Sequence, residues 1–416
     1  MAGREAVEVT VEIDGQEFIA GTLWLHEQRG QSSTFRYSDS YLASPVSYDL
    51  DPVLPKSAGI FQSASGKPLF SAFADTAPDR WGKNLMRREE RERAAAAHST
   101  PRSLRDADFL LGVRDDARQG AIRFRRPGTS AYYSTHRGAV PRLIELPRLL
   151  HAIDHLDDDA DSRDLRDLID AGSSLGGARP KAAVIDSSGQ LAIAKFPRSD
   201  SDEWDVVGWE EVELRLARRA GLRVSDSVLS EVAGRHVLVV HRFDRSASRR
   251  VGFASALTLL EATDGEQRSY LEIADVIERH SPTATSDLHE LYGRIVFSIL
   301  TGNTDDHLRN HAFLRQGRGW TLSPAFDLNP NPDRPDRLST AIDLDDTTAD
   351  IATALSVSGY FRLSLAEARS AIASIFNATT GWRSEAADLN LPSQEIDRMA
   401  EAFETERRRA ASNIEP

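Results

Sequence analysis

Three residues have types and spacing that could do chemistry together: Asp305, Asn310 and Asp327. They sit in TGNTDDHLRNHAFLRQGRGWTLSPAFDLNP, residues 301–330, where apolar, strand-like pieces (His311 to Leu314, Trp320 to Leu322) alternate with loops. Phosphoryl transfer needs such a set. One carboxylate stands by the attacking hydroxyl, while an amide oxygen and a second carboxylate hold the metal ions that neutralise the phosphate oxygens. In protein kinases the base and the metal-binding asparagine are five residues apart, as Asp305 and Asn310 are here. The hairpin after Asn310 would return the chain so that Asp327 faces the same metal. The spacing alone occurs by chance in many loops. It gains weight with a phosphate-binding lysine and a glutamate upstream.

The stretch AGSSLGGARPK, Ala171 to Lys181, is rich in small residues, so backbone N–H groups could approach an anion closely. It is not a Walker loop, because Ala178 follows Gly177 where the lysine should stand, and it is not the G-x-G-x-x-G of ordinary protein kinases. By itself it reads as a flexible loop. The residues after it favour a phosphate site. Lys181 to Asp186 and Gln190 to Phe196 have the pattern of two strands around a Ser-Ser-Gly turn. Lys195 lies among apolar neighbours at the end of the second. Burying an ammonium is costly unless an anion or carboxylate meets it; the plainer alternative is an edge-strand lysine reaching water. The next periodic stretch, WEEVELRLARRAGL (Trp209 to Leu222), predicts an amphipathic helix. Glu210 is the preferred partner for Lys195. Glu211 and Glu213 compete, and the plainer alternative is three exposed helix charges.

RHVLVVHRFDR, Arg235 to Arg245, begins as an apolar strand and ends in charge. In a two-lobed kinase the chain crosses between lobes at such a place, and adenine bonds to its backbone. Asp244 would reach the nucleotide or pair with Arg242 or Arg245.

The elements that must position these residues can be read from the rest. VEVTVEI (Val7 to Ile13) alternates like a half-buried strand, an Asp-Gly turn comes next, and EFIAGTLWL continues as a second strand. DRWGKNLMRREERERAAAA and SLRDADFLLGV predict helices, with Asp79, Arg80 and Trp81 as cap and packing residues. GAIRFRR predicts a strand leading to a linker, RPGTSAYYS, and Leu165 to Ile169 predicts a helix end. Tyr270 to Arg279, Leu288 to Leu300, Leu363 to Phe376 and Gln394 to Ser412 predict helices. The 416 residues are 40% hydrophobic and 28% charged, which suits a globular chain of two or three domains. No apolar run is long enough to span a bilayer, and the N-terminus lacks a secretory core. The absence of cysteine excludes disulfides and thiolate metal sites and fits a reducing cytoplasm. A net charge of −13 argues against a chain that is nucleic-acid binding over its whole surface.

The segments SSLGGARPKA, AIAKFP, VVHRFDR, NTDDHLRN and SPAFDL together resemble the HipA family of serine/threonine kinases, the toxins of HipBA toxin–antitoxin modules. GTLW, FRYSDSYL, LDPVLP and FADTAPDRWG are similar to that family's small N-terminal subdomain, so the resemblance covers nearly the whole chain. It implies an α+β fold of two-lobed, protein-kinase-like type, with a small β-rich N-terminal subdomain (1–125), a kinase N-lobe-like region (126–244) and a mostly helical C-terminal lobe (245–416). It implies ATP and magnesium as cofactors. Asp305 resembles the catalytic base, and Asn310 and Asp327 the metal ligands. Lys181 and Lys195 look like phosphate lysines, supported by Glu210 and the loop at Gly177 and Ala178. His241, Arg242, Phe243 and Asp244 look like the adenine hinge, with His307 and Phe326 flanking the nucleotide. Ser174 matches the loop serine whose autophosphorylation ejects the loop and inactivates the kinase, with Ser173 as second choice. The resemblance also implies a separate HipB-like helix-turn-helix antitoxin, operator DNA reached through it, a translation component such as an aminoacyl-tRNA synthetase as substrate, and no membrane. Two departures stand out: His241 replaces a glutamate, and Asp306 replaces a common glycine, adding a charge near the metal.

Two other readings stay open. A metal-dependent phosphohydrolase would use Asp305, Asp306, His307 and His311 as ligands. A pseudokinase-like module would bind nucleotide and an antitoxin without transferring phosphate.

Overall fold

The computed structural model describes residues 4–26, 32–134, 140–156, 168, 172, 179–198, 202–247, 249–333 and 336–414. The chain divides into two compact units. The first comprises Met1–Asp200, Glu231–Arg235 and Val239–Ala254; the second comprises Ser201–Ser230, His236–Leu238 and Ser255–Pro416.

In the first unit β1 (Arg4–Ile13), β2 (Gln16–His26), β3 (Ser32–Tyr37), β4 (Phe61–Gln62) and β5 (Ile122–Arg125) form a sheet in the order β4-β3-β2-β1-β5. Val7, Val9 and Val11 are fully buried on one face, as their alternation predicts. Burial of each such side chain stabilises by roughly 1.5–3 kcal/mol. Asp14 and Gly15 both have positive φ (51° and 81°), the backbone that a tight hairpin requires. Phe35, Phe73 and Phe124 meet edge to face behind the sheet, with ring centroids 5.5 and 5.7 Å apart.

The longer helices between β4 and β5 are α1 (Arg80–Ala96) and α2 (Asp106–Gly112). Asp79 caps α1, accepting the Trp81 N–H at 3.2 Å. The stretch after β5, expected as a linker, folds back on that strand instead: Tyr133 N–H donates to Phe124 O at 3.0 Å and Arg126 N–H to Ala131 O at 3.0 Å. Gly128, at φ 70°, allows the turn. The expected helix end at Leu165 to Ile169 lies outside the described residues apart from Leu168.

β6 (Lys181–Ile185) and β7 (Leu191–Lys195) form an antiparallel hairpin. Asp186 shapes its turn by accepting the N–H groups of Ser188 (2.9 Å) and Gln190 (2.7 Å). β8 (Ser227–Val232) and β9 (Arg235–His241) are the strands within which the chain passes between units, and the strand order is β6-β7-β9-β8.

The second unit is mostly helical. Its helices include α3 (Val206–Arg219), α4 (Tyr270–His280), α5 (Ala284–Thr301) and α6 (Leu365–Thr379). The hairpin of β10 (Ala312–Gln316) and β11 (Gly319–Leu322) comes next after α5, as expected. The helix expected over 394–412 is three short ones, Ser393–Arg398, Ala400–Phe403 and Glu406–Ser412. Glu404 leaves helical geometry (ψ 54°), and this break lets both Phe403 and Arg408 reach the interior, where Arg408 Nη1 donates to Thr379 Oγ1 at 3.0 Å. No described helix is long and apolar enough to cross a membrane.

Candidate active site

α5 is buried at every residue from Leu291 to Thr301 and stops at Gly302, whose φ of 72° is the left-handed cap that glycine adopts without strain. A Cβ there would stand 3.0 Å from that of Ala402. The chain then enters the loop 303–310, and two asparagines staple it to the loop after Asp327. Asn303 donates through Nδ2 to Ser298 Oγ (3.1 Å) and accepts the Asn329 N–H (3.2 Å). Asn331 donates its N–H to Gly302 O (2.9 Å) and its Nδ2 to Thr304 Oγ1 (3.0 Å). Ser339 closes a third side, with its N–H (2.9 Å) and Oγ (3.0 Å) on Thr304 O. Asp305, Asn310 and Asp327 therefore belong to loops that hydrogen-bond to each other within one unit.

Within the loop, Asp305 O accepts the His307 N–H and Asn310 Nδ2, both at 3.0 Å. That donation sets the amide of Asn310, so its oxygen is the atom turned away from the carbonyl. Asp305 itself is exposed. Its carboxyl is raised above the ordinary value, chiefly by desolvation, with the charges of Asp327 and Asp306 adding and His307 and Ser339 opposing. A carboxylate with a raised pKa is the better proton acceptor. Asp327 holds φ 57°, a left-handed backbone rare for a residue with a side chain, although aspartate tolerates it better than most. Such outliers cluster at functional sites. His307 is exposed and Phe326 half-buried on the same two loops.

Asp306 turns inward, and its charge is felt at Asp305 from the interior. It is buried, accepting Tyr270 Oη–H at 2.5 Å on one oxygen and pairing through the other with His311 Nε2 at 3.0 Å. Burial would raise its carboxyl, but the charge and hydrogen bond of His311 and the Tyr270 hydroxyl outweigh this and hold it below the usual range. The phosphohydrolase ligand set is not gathered at one place: Asp306 and His311 lie together in the interior, whereas Asp305 and His307 are exposed.

The three glutamates of α3 are all buried, not exposed helix charges, because this helix is enclosed on nearly every side rather than along one stripe. Glu211 is engaged by Arg215 Nε (2.8 Å) and Ser227 Oγ–H (2.6 Å). Desolvation holds the Glu213 carboxyl well above the usual range, opposed by the Thr301 hydroxyl. Glu210 is 3% exposed.

In the first unit Lys181 and Lys195 are direct cross-strand partners. Opposed residues of an antiparallel pair share a face, and like charges there repel by roughly 0.2–1 kcal/mol. An anion between the ammonium groups would reverse that sign. Sequence reasoning missed the anchor of Lys181: Trp81 Nε1–H donates to Lys181 O at 2.9 Å. Gly172 packs on the same two groups, where a Cβ would come within 2.8 Å of Lys181 O. The tryptophan was visible as a conspicuous residue, but nothing local shows a partner a hundred positions away. Ser173, Ser174, Gly177 and Ala178 lie outside the described residues.

At the expected hinge, His241 Nε2 is 3.0 Å from Asp186 Oδ2, and Phe243 stacks near Phe253 with centroids 6.5 Å apart. Asp244 is 2% exposed and takes the pairing alternative. It meets Arg242 Nε (2.8 Å) and Nη2 (2.5 Å), Arg245 Nη1 (2.8 Å) and the Gly120 N–H (2.7 Å). Burial alone would raise its carboxyl, but the two guanidinium charges hold it far below the usual range. Arg242 also donates to Ala117 O (2.6 Å) and Arg250 to Arg118 O (2.9 Å), so these side chains clamp the loop 115–120.

Comparison with known proteins matches residues 173–405, more than half of the chain, to the HipA-like C-terminal domain. Relatives named as kinases include the following two. "Putative kinase Y4mE" of Sinorhizobium fredii is 26% identical over 181 residues, 37% of this chain and 41% of that protein. A "Putative kinase" of Haemophilus influenzae is 26% identical over 187 residues, 39% of this chain and 54% of that protein. The chain thus spans about half the length of the curated relatives it matches. The fold is that of HipA from Shewanella oneidensis MR-1, solved with HipB and its operator DNA, with a TM-score of 0.69 over 97% of this chain and 96% of that one, at 16% identity. With its β-rich N-terminal region, helical C-terminal region and this likeness, the α+β chain belongs to the family of the HipA-like C-terminal domain.

Proposed function

We propose that this chain is an ATP- and magnesium-dependent protein serine/threonine kinase. The observation that carries the reading is the loop 303–310. It presents an exposed Asp305 of raised pKa beside Asn310, and it is tied by hydrogen bonds to the loop of Asp327. Asp305 would accept or orient the proton of a substrate hydroxyl. An amide oxygen and a carboxylate are the hard donors that magnesium takes, so Asn310 and Asp327 fit as its holders. Bound there, magnesium supplies charge neutralisation to the phosphate oxygens. Lys181 and Lys195 would meet phosphate, with Glu210 orienting Lys195 and the amides around Gly177 and Ala178 adding donors. The main chain of His241 to Phe243 would take adenine, while the side chains of Arg242 and Asp244 hold that segment in place. His307 and Phe326 would flank the nucleotide. Nearly all the rate gain is then positioning and electrostatics.

The reading extends to a toxin of cytoplasmic, toxin–antitoxin type. Its substrate would be a translation component such as an aminoacyl-tRNA synthetase, and autophosphorylation of Ser174, or of Ser173, would silence it. A HipB-like helix-turn-helix antitoxin would neutralise it and bring it to operator DNA; support comes from the Shewanella HipA, which was solved with both. The test is product analysis with magnesium and γ-labelled ATP. Phosphoprotein plus ADP supports the kinase. Free phosphate without phosphoprotein contradicts it in favour of a hydrolase, and bound nucleotide without turnover contradicts it in favour of a pseudokinase.

A further inference from the structure

Consecutive residues of the catalytic loop point opposite ways: Asp305 is exposed and Asp306 is 3% exposed. The inward carboxylate is held from two elements. Tyr270 lies at the start of α4, a helix fixed by the Ser269–Glu272 capping box and by the Tyr270 N–H on Ala341 O at 2.9 Å. His311 precedes β10, and its carbonyl accepts the Ala256 N–H at 2.7 Å. The two rings meet edge to face, with centroids 5.6 Å apart. The backbone of Asp306 is held as well, since Thr340 Oγ1–H donates to its carbonyl at 2.6 Å. The peptide carbonyl just before it, that of Asp305, is the group that orients Asn310.

We propose that Asp306 is the positioning residue of this loop: held by Tyr270 and His311, it fixes the peptide next to Asp305, whose carbonyl accepts from the Asn310 amide. Rotation of that peptide would move Asp305 and the Asn310 amide together. The inference rests on the kinase reading for its effect on rate, but its structural half stands separately.

The test uses the full chain and three variants, Tyr270→Phe, Asp306→Asn and Asp306→Ala. For each, kcat and KM for ATP in phosphate transfer are measured beside the melting midpoint and amide hydrogen exchange across 303–310. Tyr270→Phe is expected to lower kcat about tenfold and Asp306→Ala about a hundredfold, the scale of a misplacement near 1 Å, with KM for ATP within about twofold. Asp306→Asn, which keeps one acceptor oxygen, falls between them. Exchange at 303–310 quickens in all three variants. A folded Asp306→Ala or Tyr270→Phe with unchanged kcat overturns the proposal, as does a loss that merely tracks the melting midpoint. If wild type transfers no phosphate, the kinase reading has failed and exchange decides alone: faster exchange at 303–310 in Asp306→Asn supports the positioning role, and unchanged exchange overturns it.

Discussion

Asp244 and Asp305 are both aspartates in loops next to apolar secondary structure, and the protein treats them in opposite ways. Asp244 is enclosed by Arg242, Arg245 and a backbone N–H, and its carboxyl is driven far down. Asp305 is exposed, has acidic neighbours at 306 and 327, and its carboxyl is driven up. The first is neutralised and serves as a fixed strut. The second is denied such cations and stays available to take a proton. Under the kinase reading, what sets Asp305 apart is the set of neighbours withheld from its carboxylate, not the residue type.

The largest effect that could break this contrast is Asp305→Asn. Phosphate transfer is expected to fall by about 10²–10⁴-fold, the usual worth of a general base, with the fold intact by circular dichroism. Asp244→Asn comes next and acts on stability: leaving buried guanidinium groups short of their partner costs about 3–5 kcal/mol, read by urea unfolding. Lys195→Met should weaken ATP binding roughly tenfold or more, in line with loss of a charge-assisted contact, while removing the like-charge pair with Lys181 offsets part of any cost to the fold. Calorimetric titration of ATP checks this.

The pH dependence sharpens the contrast further, with opposite signs. Asp244 has a depressed folded pKa, so its stabilisation is present above the ordinary carboxylate value and is lost as pH falls through the folded value. Asp305 has a raised folded pKa, so its contribution is full below the ordinary value and is lost as pH rises through the folded one. Melting curves from pH 3 to 8 should therefore show Asp305→Asn gaining stability over wild type toward neutral pH and Asp244→Asn losing it. The smallest effect on transfer concerns Glu213, whose raised pKa has the same sign as that of Asp305. Glu213→Gln should leave transfer unchanged and remove a loss of stability that sets in as pH rises above the ordinary carboxylate value.

The sequence carried the fold where periodicity was strong. Val7, Val9 and Val11 announce a half-buried strand by alternation, and Lys181 and Lys195 are the paired outer residues of a legible hairpin. The candidate triad could be proposed from sequence because the Asp305–Asn310 spacing and the hairpin after it are local. What stayed hidden depends on partners far along the chain. The Trp81–Lys181 bond, the Asn303 and Asn331 staples and the Tyr270–Asp306 contact each join residues that no local pattern connects. The burial of all three glutamates of α3 was hidden for a related reason: an amphipathic stripe predicts one buried face, but nearly every position of this helix is buried. The left-handed backbone of Asp327 had no signal in sequence, since no glycine marks it.

The most direct test of the central claim is intact mass with peptide mapping after incubation with ATP and magnesium, for wild type beside Asp305→Asn. The account expects the wild type to gain phosphate, on Ser174 or Ser173, and the variant to gain none. Equal phosphate gain in both proteins would contradict the assignment of Asp305 as the base.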